Sequence, residues 1–279
     1  MPLNAANYQG FQTTAYSLAG DVNDTAYTDL VEEVPVTLSI HDLAHAVVMV
    51  TPIQLEEFAI GFAISEGIID KHQDLRDIVF QEQNTTSGVK GLEINLQISP
   101  RRFHDYKQTR KVHVGASGCG LCGKESLQQA FPDLIKLPQT RVMDFSFLEG
   151  LRDKVFQAQR LGKRTGALHA ALLLDPQGNP LCCMEDIGRH NCLDKIIGYA
   201  AKTTTNLDQH SVVMSSRCST ELILKAVKAK LSNLIHLASP SQLAVNLAQE
   251  YGLTLIHLPK HDAPRFFAKG NIKDRLDDK

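Results

Sequence analysis

The sequence predicts an α/β protein in which a layered α/β domain follows a smaller N-terminal α+β domain. Two patterns predict this fold class. In the second half of the chain, apolar runs of strand length alternate with segments of helical periodicity over short links, which favours parallel strands between layers of helices. In the first half, strand-like segments surround one helix, which is typical of an α+β unit. We therefore expect a flexible tail over residues 1–28, an α+β domain over 29–112 and an α/β domain over 113–279.

The predicted tail is rich in Asn, Gln, Thr and Tyr and lacks periodicity, which is typical of a segment without regular structure. After it, residues 33–40 and 44–50 flank a short polar link and predict a pair of strands. Residues 92–98 alternate strictly between apolar and polar side chains, which predicts a strand with one face toward water.

One helix is predicted between these strands. Thr51 at the N-cap, Pro52 at the first helical position and Gln54 at the third match the capping-box pattern, in which side chains satisfy N–H groups of the first turn. Gly67 predicts the end of this helix, because glycine readily adopts the backbone conformation that closes one.

Strands and helices are predicted in alternation along the α/β domain. The predicted strands cover residues 167–174, 211–214, 234–237 and 253–258. The predicted helices cover residues 191–201, 219–230 and 241–251, and Gly252 follows the last of them as its closing residue.

The composition is that of an ordinary globular protein, since 43% of the 279 residues are hydrophobic and 22% are charged. The 29 Lys and Arg residues against 31 Asp and Glu give a formal net charge of −2, so overall charge offers nothing to attract nucleic acid. The first residues lack a signal-peptide pattern, and the apolar runs are too short to cross a membrane. We expect a cytoplasmic protein with reduced cysteines and neither a nucleic-acid nor a membrane partner.

The most reactive feature is a pair of cysteines, Cys119 and Cys122, set among three glycines before a predicted helix over residues 124–131. A helix N-terminus and the neighbouring Lys124 both favour the thiolate, which is the reactive form of cysteine. The glycines let a bulky partner approach the sulfur atoms. The other four cysteines are expected to be small buried side chains: Cys182, Cys183, Cys192 and Cys218.

Four interpretations of the cysteine pair are open from the residues alone. A structural zinc site needs two further ligands, and the adjacent Cys182 and Cys183 lack the usual spacing. A thioredoxin-like redox pair would normally lie near the N-terminus of a small domain. The pair could also be inert, and the fourth interpretation, which we favour, is a nucleophilic or persulfide-carrying cysteine.

Two polar segments allow both a structural and a functional interpretation. His169 lies within an apolar run, where a histidine is either a satisfied core residue or a catalytic one. Residues 185–191 crowd charged side chains before a helix, where Asp186 and Asn191 suit helix capping. The same segment could form a polar pocket wall in which Arg189 or His190 faces an anion.

Two further segments suit an anionic ligand. Ser215, Ser216 and Arg217 link a strand to a helix, where free N–H groups favour phosphate, although any helix start is rich in such residues. Residues 257–265 follow the last strand, and their basic side chains suit an anionic cofactor or belong to a solvated loop.

The motifs occur together in one order, and this combination is far more specific than its parts. The segments are residues 32–35, 58–62, 65–69, 118–123, 165–171 and 185–195. With them the chain closely resembles the formate dehydrogenase accessory sulfurtransferase (FdhD) family over roughly residues 30 to 272.

This resemblance implies a cytoplasmic, homodimeric sulfur carrier. Such a protein takes sulfur as a persulfide from a cysteine desulfurase and delivers it to the molybdenum or tungsten bis-guanine-dinucleotide cofactor of formate dehydrogenase. The resemblance also implies a cytidine-deaminase-like α/β domain and a cofactor that is bound only transiently, with no permanent metal.

The resemblance assigns roles to particular residues. Cys119 would carry the persulfide, and Cys122 would assist or resolve it. The cofactor-binding stretch maps onto Leu258, Pro259, Lys260, His261, Asp262 and Ala263. Candidate phosphate contacts are Ser215, Ser216, Arg217, Lys260 and Arg265, and His169, Arg189 and His190 would line the reactive end.

Two alternatives of other classes stay open. A zinc-dependent hydrolase of the deaminase type would need a histidine and glutamate before P-C-x-x-C, whereas here the cysteine pair precedes His169. A non-catalytic chaperone that only shelters the cofactor would tolerate the loss of both loop cysteines.

Overall fold

A computed structural model describes residues 8–16, 22–86, 88–109, 131–138 and 146–269. Within these ranges the chain forms a two-stranded, a four-stranded and a six-stranded sheet. Cys119, Cys122 and nearly all of the helix predicted over residues 124–131 lie outside the described residues, so what the sequence indicates for them remains a prediction.

The two-stranded sheet is a hairpin of β1 (Tyr8–Tyr16) and β2 (Val22–Val31) within the segment for which the sequence predicts a loose tail. Its strands are antiparallel, with Thr13 opposite Ala26. An ion pair of 3.0 Å between Asp29 and Arg164 joins the hairpin to the C-terminal part of the chain. The prediction was wrong for these residues, because their Thr, Tyr and Val content favours strands even without clear alternation.

The four-stranded sheet carries the N-terminal core. Its order is β4-β3-β6-β5, with β3 (Val34–Ile40), β4 (Leu43–Val50), β5 (Leu75–Asn84) and β6 (Lys90–Ile98). The helices α1 (Leu55–Ser65) and α2 (Pro100–Thr109) accompany it. Phe58 of α1 packs with Leu38 and Ile94 of the sheet, all three fully buried. The strands predicted at 33–40, 44–50 and 92–98 are therefore confirmed, whereas β5 and α2 were not predicted.

The predicted capping box at Thr51 was wrong. Helix α1 begins at Leu55, and its N-cap is Gln54, which has a φ of 46° and makes no capping hydrogen bond with its side chain. The Thr51 hydroxyl instead accepts a hydrogen bond from the Ile187 N–H at 3.0 Å. A contact with a residue 136 positions away, which the local pattern cannot reveal, has taken the place of the local cap.

The six-stranded sheet has the order β12-β11-β10-β9-β7-β8. Its strands are β7 (His169–Leu174), β8 (Pro180–Asp186), β9 (Ser211–Met214), β10 (Asn233–His236), β11 (Thr254–His257) and β12 (Arg265–Lys269). The helices of this part are α3 (Leu151–Ala158), α4 (Gly162–Thr165), α5 (Arg189–Lys202), α6 (Thr220–Lys228) and α7 (Gln242–Tyr251). The predicted strand–helix alternation is confirmed from β9 to β11.

The prediction of parallel strands holds for part of this sheet. Strands β9, β10 and β11 are parallel, as short links with one helix each require. Strand β7 is antiparallel to both β8 and β9, because β8 follows it directly as a hairpin partner. Strand β12 runs antiparallel to β11 at the other edge.

Helices cover both faces of the six-stranded sheet. On one face, residues of α5, α6 and α7 pack against Val212, Leu234 and Leu255. On the other face, Leu151 and Val155 of α3 pack against the sheet. The result is the layered α/β domain that the sequence predicts.

Two glycines let α1 and α5 pack in direct contact. A Cβ atom on Gly61 would lie 1.7 Å from the backbone oxygen of Asp194, and one on Gly198 would lie 1.8 Å from that of Glu57. Only glycine fits at such distances, so the pair fixes the N-terminal sheet and its helix against the six-stranded sheet.

Candidate functional site

The candidate site lies at one edge of the six-stranded sheet, which we call the carboxyl edge because β9, β10 and β11 end there. In open α/β sheets ligands bind at this edge, where helix N-termini also point. The antiparallel β7 begins there, and His169 pairs across with Asp186 at the end of β8. The fold thus brings the predicted segments around residues 169, 186–190, 215–217 and 258–265 to a single edge.

The turn after β9 uses its serines to hold the fold. Ser215 exchanges two hydrogen bonds with Ala170, since its N–H donates to the Ala170 carbonyl at 2.9 Å and its Oγ accepts from the Ala170 N–H at 2.8 Å. Ser216 is buried, and its hydroxyl donates to the Arg217 carbonyl at 3.2 Å. Arg217 is exposed, so its side chain is the member of the predicted phosphate seat that faces solvent.

His190 lies in the first turn of α5 and joins it to the start of α6. Its Nε2 is 3.2 Å from the Ser219 Oγ and 3.0 Å from the Glu221 Oε2. Because serine and glutamate both meet the same ring nitrogen, this is not a serine–histidine–acid triad, which uses both nitrogens. Glu221, which the sequence analysis did not single out, is thus the carboxylate that lies closest to the His190 ring nitrogen.

His169 is half-buried beside Arg189 and His190. Burial lowers the pKa of His169, and the nearby charges of Arg189 and His190 lower it further against an opposing effect of Asp186. His169 is therefore neutral at physiological pH and can accept or donate a hydrogen bond at this edge.

The stretch after β11 extends outward from the sheet. Leu258 is buried and Pro259 partly so, whereas Lys260, His261, Asp262, Ala263 and Arg265 are exposed. Asp262 and Arg265 form an ion pair of 2.9 Å that closes this loop on itself. The basic side chains accordingly face solvent at the end of the sheet, as an anionic ligand requires.

A cavity of about 540 Å³ opens beside this stretch, between it and the start of α3. Its lining is mainly apolar and includes Leu148, Leu258, Pro259 and Phe266, with the charged Glu149, Arg152 and Asp262. Arg152 donates to the carbonyl oxygens of Leu237, Leu258 and Pro259, which follow β10 and β11. Sequence reasoning missed Arg152, because nothing in an amphipathic helix marks one arginine as a ligand of backbone carbonyls.

Two buried histidines lie at the ends of β10 and β11: His257, with which the predicted basic segment begins, and His236, which the sequence analysis did not single out. His236 and His257 are partners across the two parallel strands. The Nδ1 of His236 lies 3.0 Å from the Ser216 carbonyl, so Nδ1 carries the proton and donates. Among the residues that the structure describes, the His236 Nε2 and the His257 Nδ1 have no hydrogen-bond partner, although both atoms are buried.

His236 should make the folded state sensitive to acid. Burial lowers the pKa of His236 from 6.5 to about 4, so the unfolded chain binds more protons between these values. The contribution of neutral His236 to the free energy of unfolding is fully present above pH 6.5. It decreases as the pH is lowered, and about 3 kcal/mol is lost at pH 4. We expect the free energy of unfolding, measured by urea titration, to fall less steeply between pH 7 and pH 4 in His236→Gln than in the wild type. An exposed control, His104→Gln, should keep the wild-type slope, and equal slopes in all three proteins would contradict the assignment.

Beneath the edge, the residues 185–191 act largely as anchors. The Glu185 carboxylate accepts the backbone N–H groups of Arg160, Leu161 and Gly162 at 2.7 to 3.0 Å. Asp186 accepts from the Gly188 N–H at 2.8 Å and from the Asn191 side chain at 2.7 Å. Asp186 and Asn191 thus hold the turn before α5 but do not cap it, since the N-cap is Gly188 and it has no side-chain capping hydrogen bond. The charges of Arg189 and His190 act on His169 from the same segment.

Asp186 also forms a fully buried ion pair with Lys195. The Lys195 Nζ lies 2.6 Å from the Asp186 Oδ2, and neither side chain is exposed to solvent. The same ammonium donates to the Glu185 carbonyl at 3.0 Å and to the Thr51 carbonyl at 3.3 Å. The pair therefore connects the loop before α1 to the end of β8 and supports the site from below.

The four cysteines in the described part of the chain are unsuited to nucleophilic chemistry. Cys192 and Cys218 are buried and Cys182 and Cys183 are half-buried, each as a free thiol. Burial raises the pKa of Cys182 and Cys183 to about 12 and also raises that of Cys192 and Cys218. All four stay protonated at neutral pH, which is the inert state of a cysteine.

Within the described ranges, no three His, Cys, Asp or Glu side chains cluster closely enough to hold a metal ion. Over the same ranges no helix combines the length and the apolar character that crossing a bilayer requires.

Residues 31–272 match the model of a protein family described as the FdhD/NarQ family. The fold is also similar to a crystal structure from Desulfotalea psychrophila, of a protein provisionally described as a formate dehydrogenase accessory protein. The TM-score is 0.72 at 21% sequence identity, over 96% of this chain and 100% of that chain. At 21% identity, the similarity to this crystal structure is evidence for the fold alone.

Proposed function

The chain belongs to the FdhD/NarQ family, and from this we propose that it is a sulfur carrier in the maturation of formate dehydrogenase. It accepts persulfide sulfur from a cysteine desulfurase and transfers it to the bis-guanine-dinucleotide cofactor of molybdenum or tungsten, which is its acceptor substrate. We place this activity in the cytoplasm and assign it to a homodimer. The observation that carries the proposal is the match over residues 31–272, which contains the cysteine pair and every segment of the carboxyl edge.

The cysteines themselves support the choice of nucleophile. Cys182, Cys183, Cys192 and Cys218 are held as neutral thiols by burial. The chain has six cysteines, and we therefore assign the reactive thiolate to one of the remaining two, Cys119 and Cys122. The glycines and Lys124 beside them favour an accessible thiolate.

Sulfur uptake is a thiol–persulfide exchange. The Cys119 thiolate attacks the terminal sulfur of the desulfurase persulfide, so that its S–S bond breaks and the desulfurase leaves as a thiolate. Cys119 then carries the terminal sulfur as its own persulfide. No electrons are gained or lost overall in this step.

Sulfur release uses the second cysteine as reductant. The Cys122 thiolate attacks the inner sulfur of the Cys119 persulfide, which forms a Cys119–Cys122 disulfide and expels hydrosulfide toward the metal. The two electrons come from the cysteine pair, and a cellular dithiol must reduce the disulfide before the next cycle. A soft metal centre accepts the hydrosulfide well.

The carboxyl edge suits the polyanionic acceptor substrate. The N-termini of α5, α6 and α7 follow β8, β9 and β10 at this edge, and their N–H groups favour phosphate. Arg217, Lys260 and Arg265 add exposed positive charge around them. His169, Arg189 and His190 form the neighbouring cluster that we assign to the reactive end.

The test is mass spectrometry of the purified protein after incubation with a cysteine desulfurase and cysteine. We expect a gain of one sulfur atom, about 32 Da, on the peptide that contains Cys119, removable by a thiol reductant. A protein that binds guanosine diphosphate but acquires no sulfur would instead be a chaperone for the cofactor. Stoichiometric zinc on the cysteine pair would also contradict the proposal and favour the hydrolase.

A further inference from the structure

We propose that Arg152 is the positioning residue of the nucleotide end of the acceptor site, an inference that rests on the sulfur-carrier function proposed above. Arg152 is the second residue of α3 and lies outside the six motif segments that were singled out in the sequence. It acts by fixing the loop that begins at Leu258 and follows β11.

The contacts of Arg152 join the ends of two neighbouring strands. Its Nη2 donates to the Leu237 carbonyl at 2.5 Å and to the Leu258 carbonyl, and its Nε donates to the Pro259 carbonyl at 3.3 Å. Leu237 directly follows β10, and the other two residues directly follow β11. One guanidinium group thereby sets the separation and direction of both chain segments as they leave the sheet.

The geometry requires arginine. Two of the three carbonyl oxygens accept from Nη2 and the third accepts from Nε, and the planar guanidinium holds these two nitrogens in a fixed arrangement that the single ammonium nitrogen of lysine cannot reproduce. The bonds use the Nε hydrogen and both Nη2 hydrogens, which leaves the two Nη1 hydrogens for other partners. The side chain lines the cavity of about 540 Å³, whose wall is also formed by Leu258 and Pro259.

The charge of Arg152 also reaches the strand end itself. Burial lowers the pKa of His257, the last residue of β11, and the charges of Arg265 and then Arg152 lower it further against an opposing effect of Asp262. The guanidinium therefore keeps a positive, pre-oriented environment where the backbone of the loop leaves the sheet. A loop that is already ordered binds a nucleoside diphosphate without a further entropy cost of ordering, which increases affinity.

The test compares Arg152→Lys and Arg152→Met with the wild type, with guanosine diphosphate as the probe for the nucleotide end. We expect Arg152→Lys to bind the probe about 10-fold more weakly and Arg152→Met about 100-fold, as a misplaced contact loop would cause. Sulfur loading of Cys119 by the desulfurase should stay at the wild-type level in both. The matched control Arg160→Lys, on an exposed arginine just beyond the same helix, should change neither property.

The outcomes separate this inference from the function on which it rests. A purely structural role would lower the melting temperature and the sulfur loading together and leave the affinity of the folded fraction unchanged, which would overturn the inference. Wild-type affinity in both variants would also overturn it and leave the sulfur-carrier function intact. A wild-type protein that binds no guanosine diphosphate would contradict both.

A second measurement covers the case in which Arg152→Met does not fold. In the wild-type protein, guanosine diphosphate should slow amide hydrogen exchange at residues 260–263 and at the segment after β10. Arg152 couples the two segments, because it binds the carbonyl oxygens of Leu258 and Pro259, directly before the first segment, and of Leu237 in the second. Exchange that the nucleotide leaves unchanged at both segments would overturn the inference.

Discussion

A Cys119→Ala variant is expected to lose transfer of sulfur to the acceptor cofactor by at least about 1000-fold, because the substitution removes the nucleophile itself. Its affinity for guanosine diphosphate should stay at the wild-type value, since the basic residues of the carboxyl edge are untouched. The two properties are measured by transfer of ³⁵S from a cysteine desulfurase and by titration calorimetry. Loss of nucleotide binding together with retained transfer would contradict the role of Cys119.

Cys218→Ala is the matched control for this experiment. Cys218 follows the turn at the end of β9, close to the carboxyl edge, but it is buried and its pKa is raised. We expect its replacement to leave sulfur uptake unchanged. Cys122→Ala should retain uptake and slow release, because the Cys119 persulfide then lacks its internal reductant. Sulfur transfer that depends on Cys218 and not on Cys119 would contradict the assignment and would identify Cys218, near the carboxyl edge, as the reactive cysteine.

The sequence predicted the parallel centre of the α/β domain well because local signals agree there. The strand predicted at 211–214 coincides with β9, and Gly252 closes α7 with a φ of 75°, as expected. The hairpin strand β8 was missed because its burial changes along its length, from exposed at Pro180 and Leu181 to buried at its last three residues, and its sequence mixes Pro, Cys and acidic residues without alternation. The likeness to cytidine deaminases stays a prediction.

The candidate site was predictable where it depends on motifs and unpredictable where it depends on register. The charged segment around Arg189 was a candidate pocket wall and the segment after Leu258 a candidate site at a strand end, and the structure brings the two to the same edge of the sheet. His236 and His257 become neighbours only through strand pairing, which no local pattern encodes. The same is true of Thr51, whose sequence signals a helix cap and whose hydroxyl serves Ile187.

The buried ion pair of Lys195 and Asp186 holds the chain segments beneath the carboxyl edge, and Lys195→Met tests how much it stabilises the fold. Removing the ammonium leaves Asp186 as an unpaired charge in a site with no exposure to solvent. We expect the free energy of unfolding to fall by about 3–5 kcal/mol, measured by urea titration at pH 7. The double variant Asp186→Asn with Lys195→Met should recover part of this loss, because a neutral amide replaces the uncompensated carboxylate.

Lys202→Met is the matched control on the same helix. Lys202 pairs with Glu56 at 2.9 Å and with Glu57 at 2.7 Å, and its side chain is 28% exposed. An ion pair that water can reach contributes little, so this variant should lose no more than about 1 kcal/mol. Equal losses for Lys195→Met and Lys202→Met would show that the buried pair does not anchor β8 to the loop before α1. In that case the order of the carboxyl edge would have to come from the packing of α1 on α5, where Gly61 and Gly198 bring the two backbones into contact.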